Sequence, residues 1–176
     1  MKKKLVFCQG SVAESWVLYK VAAKTGRRLR GDRSARIEGV FAILNQLCSE
    51  GLGLTCTVSA AAGVVTTLYK GDLPLEGETG GFPIRKYLAR EAAQTLRENF
   101  ELLAPNASHF RTAEELWLAW CLKGIKAAYA QFADYIDVAL VLNPPEETTI
   151  SHVFVDHPHI PYILGKSGAQ QIIYHV

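Results

Sequence analysis

The chain has no run approaching the ~20 consecutive apolar residues that a membrane-spanning helix needs, so no membrane partner is expected. It opens on Lys2, Lys3 and Lys4 but has no signal-peptide core, because Gln9-Gly10-Ser11 breaks the apolar run after Leu5, Val6, Phe7 and Cys8. A cytoplasmic protein is the expectation. There is no CxxC pair either. Cys8, Cys48, Cys56 and Cys121 are far apart and sit in apolar stretches, which predicts four reduced, buried thiols rather than a zinc knuckle. Internal repeats and low-complexity tracts are missing, and so is a strong charge of one sign, since the net charge is only +2. With nearly half its 176 residues hydrophobic, the chain reads as a single globular domain over 1–176, with the Gly- and Pro-punctuated loop 71–83 inside it.

What charge there is clusters. Arg27, Arg28, Arg30, Arg33 and Arg36 occupy one short window, with Lys20 and Lys24 just before it. Guanidinium forks at that density can meet successive phosphates, which makes nucleic acid a candidate partner. The competing reading is a solvated sheet edge whose positive charge discourages strand pairing.

Periodicity gives the elements. Residues 4–8 read as a first strand. Between 12 and 23 the apolar residues surround a helical axis without a stripe, whereas as strands they split onto two faces. Lys24-Thr25-Gly26 then suits a hairpin turn into 27–32. Ile37, Val40, Phe41, Leu44, Leu47 and Cys48 repeat at helical spacing up to Gly51. Residues 52–59 alternate as a strand and 61–69 suit a short helix. Two helices follow, one with a stripe from Leu88 to Leu103, the other opened by a Thr112/Glu115 capping box and carrying Trp117, Trp120, Tyr129 and Phe132 inward. Residues 136–143 and 150–156 read as strands around Pro144-Pro145, and 172–176 as a further strand.

That order, and three local motifs, resemble the ribonuclease H-like fold. FCQGS at 7–11 is similar to the family's first-strand motif, RIEG at 36–39 to its glutamate-bearing helix start, and TVSAAAGVV at 57–65 to the end of its fourth strand. The resemblance implies an α/β (α+β) fold on a mixed sheet, in the order β-β-β-α-β-α, followed by a helical pair and two or three further strands. It also implies that Gln9, Glu38 and Ser59 lie close together. The family's two-Mg²⁺ chemistry needs anionic ligands, yet Gln9 and Ser59 stand where aspartates are expected and only Glu38 remains as a catalytic carboxylate. The implied function is a catalytically degenerate, nucleic-acid-associated binding or adaptor protein with no resident cofactor.

Two alternatives stay open. SHVFVDHPHI at 151–160 places His152, Asp156, His157 and His159 within eight positions, so a hydrolase using these with Glu38 and a divalent metal (Mg²⁺ or Zn²⁺) is one. An exposed imidazole-rich turn is the bland reading of the same stretch. The other alternative is a protein-interaction module whose arginines meet an acidic partner. Gly165-Lys166-Ser167 is not a P-loop, because Ile160 stands where its first glycine belongs. The Gly77–Gly81 stretch reads as a connector rather than an anion cradle.

Overall fold

A computed structural model describes residues 2–28, 33–70, 81–122 and 130–176, with side chains omitted over 33–37. Most of the 71–83 loop, Arg30 and Tyr129 lie outside the described residues. Arg33 and Arg36 are described as helical backbone only.

Strands β1 (Lys3–Cys8), β2 (Gly53–Thr57), β3 (Phe100–Leu103), β4 (Thr148–Val155) and β5 (Ile172–His175) form one sheet in the order β3-β2-β1-β4-β5. Every pairing is parallel. The α/β class therefore holds, but the sheet is not mixed. The chain winds outward from β1 to β3, returns to place β4 on the other side of β1, and so leaves a switch point between β1 and β4.

The expected β-β-β opening is not formed. Residues Gly10–Thr25 are helix α1, closed by Gly26 in the left-handed conformation (φ 67°), whose N–H reaches the carbonyls of Ala22 and Ala23. The hairpin reading failed for a physical reason: α1 is covered by the sheet and by other helices. Val12, Trp16, Val17, Leu18 and Val21 are all buried around its circumference, and no polar stripe was needed. The same cause makes 136–143 resemble a strand in sequence. That stretch is the apolar body of helix α6 (Phe132–Leu142), buried through Tyr135 and Val138 to Val141.

The remaining helices are α2 (Arg33–Ser49), α3 (Val58–Lys70), α4 (Phe82–Asn99), α5 (Ala107–Leu122) and α7 (Ile160–Lys166). The stripe from Leu88 to Leu103 spans two elements, because α4 stops at Asn99 and Phe100–Leu103 continue as β3. Helix α5 starts at Ala107 rather than Thr112. The Asn106 Oδ1 accepts from the backbone N–H groups of Ser108 (3.0 Å) and His109 (3.2 Å), capping the first turn. His109 is buried, with Nδ1 accepting from the Asn106 N–H and Nε2 donating to the Asn143 carbonyl.

Two cores result. One face of the sheet (Val6, Cys8, Leu54, Cys56, Phe154) packs on α1, α3 and α4, with Phe41, Leu44 and Leu47 of α2 added. The other face (Phe7, Ile150, Val153, Val155) packs on α5, α6 and α7. Alternate strand residues thus serve opposite layers. Cys8 and Cys56 are buried free thiols as expected, whereas Cys48 is exposed and Cys121 half-buried. Trp16 and Trp120 are core, while Trp117 lies 38% exposed against Phe132.

Candidate functional site

In a parallel sheet with helices on both faces, the carboxyl ends of the strands at a switch point frame a ready-made crevice. Here that crevice has a volume of about 440 Å³ and is lined by residues from four segments. Gln9, Gly10 and Ser11 come from the β1–α1 junction and Thr57, Ser59 and Ala60 from the β2–α3 junction. Gln131, Asp134 and Asp137 come from the start of α6, and Asp156 and His157 from the end of β4.

Gln9 is the hub. It is 6% exposed, and its carboxamide joins three elements. Its Nε2 donates to Asp134 Oδ1 at 2.9 Å, and its Oε1 accepts from the backbone N–H groups of Asp156 (3.1 Å) and His157 (3.4 Å). Only this amide orientation satisfies all three contacts, since a carboxylate cannot donate and an N–H cannot accept. Asp134 spends its other oxygen on the Gln131 backbone N–H at 2.8 Å, completing a capping box on α6. Both of its carboxylate oxygens are therefore engaged within the protein.

Asp137 lies one turn along α6 and is half-buried. Burial pushes its carboxyl up to about 7, the neighbouring Asp134 adds to the rise, and a hydrogen bond from Thr57 offsets part of it. The Thr57 hydroxyl is also 3.0 Å from Ser59 Oγ and accepts from the Ala60 N–H at 3.2 Å, capping α3. A chain of polar contacts thus runs from exposed Ser59 through Thr57 to Asp137. The Ser11 Oγ is buried and has no partner among the described residues.

Of the three positions expected to converge, Gln9 and Ser59 do line one crevice. Glu38 is exposed on α2 and does not line it. The histidine-rich stretch is split. His152 accepts or donates at Ser151 Oγ (2.9 Å) and stacks toward Tyr174, 6.2 Å between ring centroids. The His157 and His159 rings lie 5.6 Å apart and tilted, with the His159 N–H donating to His157 Nδ1 to fix the turn that starts α7. Only Asp156 and His157 reach the crevice. Among the described residues, no three His, Cys, Asp or Glu side chains are grouped to hold a metal ion. Arg28 is exposed just past the end of α1, and Arg27 is half-buried beside it.

Sequence reasoning missed Thr57, Gln131, Asp134 and Asp137. The signal was there in Asp134 and Asp137, two acids one helical turn apart, but reading 136–143 as a strand put Asp137 on an alternating face instead.

Fold and crevice together define the class: a doubly wound, all-parallel α/β protein with a polar, carboxylate-bearing site at its switch point. Beyond the class, the chain matches no protein-family model and no curated protein.

Proposed function

We propose that this is a nucleic-acid-associated binding protein whose switch-point crevice holds a polar ligand group without hydrolysing it. The observation that carries this reading is Gln9 itself. A neutral carboxamide occupies the centre of the crevice and engages Asp134. That leaves Asp137, half-protonated near neutral pH, and exposed Asp156 as the carboxylates open to a cation. Two-metal phosphoryl chemistry needs more anionic oxygen than this supplies. Of the ribonuclease H-like expectation, the reading keeps only a depleted carboxylate site in a shared crevice.

The nucleic-acid half rests on the arginine density of 27–36 and has a geometric consequence. Gln9 and Arg28 flank opposite ends of α1, whose 16 residues span about 24 Å. A ligand touching both must extend over about seven base steps at about 3.4 Å each.

The test is fluorescence anisotropy with oligonucleotides of graded length and salt. Affinity is expected to fall linearly on a log–log plot against salt. Replacing Arg27, Arg28 and Arg30 with alanine is expected to flatten the duplex slope by about two to three, at about 0.9 for each lost phosphate contact. No strand cleavage should accompany binding in Mg²⁺. An unchanged slope would remove the nucleic-acid role. Mg²⁺-dependent cleavage abolished by Asp137→Asn would instead make the crevice a hydrolase site, whereas cleavage abolished by Glu38→Gln or His157→Ala would establish the hydrolase alternative expected from the sequence.

A further inference from the structure

Strand β5 ends the sheet. It bonds β4 in parallel, with His152 opposite Ile172 and Phe154 opposite Tyr174, and the Val176 N–H donates to the Val155 carbonyl at 2.8 Å. Backbone groups along a strand point alternately to its two sides. Ile172, Tyr174 and Val176 therefore serve β4, while the N–H and C=O of Ile173 and His175 point away from the sheet. No backbone group among the described residues meets them there.

The two sheet edges are unlike. On β3, Glu101 forms an ion pair with Lys3, so that edge carries charge, the usual protection against strand addition. Residues 170–176, QQIIYHV, contain no Lys, Arg, Asp, Glu or Pro, and Ile172 is 54% exposed. An uncharged edge with free backbone groups is a template for another strand.

We propose that β5 pairs antiparallel with β5 of a second copy of this chain, about a two-fold axis passing beside Tyr174. The register follows from which groups face outward. Ile173 must stand opposite His175 of the second copy, where the two residues exchange both N–H···O bonds, and the two-fold repeats the exchange. Tyr174 then faces Tyr174 of the second copy in the close, non-hydrogen-bonded pair. Tyr174 already stacks on Phe154 at 4.5 Å and 14°. The two tyrosines extend that row of rings across the axis from one Phe154 to the other. In the same register, Ile172 meets Val176 of the second copy on the face shared with Tyr174, covering the most exposed apolar side chain of the strand. No like charges meet at the axis, which is what suits this edge to its own copy rather than to a charged partner strand.

Sedimentation velocity on the intact chain across the micromolar range tests this, with dimer as the expected species. His175→Pro removes an outward N–H and the ring contact with the Asp156 carbonyl (3.3 Å), but none of the backbone bonds to β4. It is expected to be monomeric, with an unchanged far-UV circular dichroism spectrum. If that variant does not fold, Ile172→Lys at its exposed position serves instead, and loss of dimer in the folded protein is again expected. Tyr174→Cys is expected to give a disulfide-linked dimer on mild oxidation, while the parent chain, with its own cysteines, does not. A parent that stays monomeric throughout overturns the proposal. So does a dimer that persists in a folded His175→Pro or Ile172→Lys variant, because the copies would then meet on another surface.

Discussion

The two ends of the sheet are held by different physics. At the carboxyl ends of β1 and β4, one buried carboxamide satisfies three groups, one on α6 and two at the end of β4, and a carboxyl titrating at about 7 sits nearby. Near the start of β1, Lys3 reaches across the Gly53 end of β2 to Glu101, with side chains 61% and 33% exposed. Gly53 makes room, since a Cβ there would lie 3.0 Å from a Leu5 methyl and 3.7 Å from the Lys3 Cε. In the first arrangement the carboxamide itself is buried and has little water to turn to when a partner is lost. The second is wet and its ions can turn to water. Polar groups should therefore be costly to alter at one end and nearly free at the other.

The largest effect should come from Gln9→Glu. The substitution keeps the acceptor for Asp156 and His157 but replaces the donor to Asp134 with a second carboxylate. At pH 8 it is expected to destabilise the fold by about 2–4 kcal/mol, seen as a fall in Tm. Towards pH 5 much of that loss should return, because the introduced carboxyl, once protonated, can donate as the amide did. A flat pH response would mean that the Gln9–Asp134 contact carries little energy.

Asp137→Asn should act in the opposite sense. Its carboxyl is raised in the fold from an ordinary 3.8 to about 7, so between those values the native state binds more protons than the unfolded chain. Native stability therefore falls as pH rises from about 4 to about 7 and then levels off. Asparagine does not ionise and can still accept from Thr57. Chemical denaturation should find the variant more stable than the parent by about 1–3 kcal/mol at pH 8 and unchanged at pH 4. Destabilisation at pH 8 would reveal a charged partner for Asp137 that the described residues do not supply.

The smallest effect belongs to Lys3→Ala, expected within about 0.5 kcal/mol of the parent and smaller still at high salt. A cost matching that of Gln9→Glu would erase the contrast between the two ends.

Element existence was legible where periodicity was clean. Phe41, Leu44 and Leu47 marked α2, the alternation around Cys56 marked β2, and 150–156 marked β4. It was illegible where a helix is buried on most sides. Neither α1 nor α6 shows a stripe, because sheet and helices leave no face for water to select, and both then read as strands. Strand β3 was lost because its four residues continue the apolar spacing of α4.

The site divides in the same way. Sequence by itself determined that Gln9 and Ser59 each stand near the end of an apolar strand segment, that the arginines share one short window, and that 151–160 is rich in imidazole, since these follow from residue order alone. Only the tertiary structure decided which of them meet. The switch point brings α6 to the end of β1, so that Asp134 and Asp137, more than a hundred residues away in sequence, share a crevice with Gln9, while Glu38 stays outside on α2. Side-chain convergence depends on how parallel crossovers return the chain, and a local pattern of residues carries no record of that path.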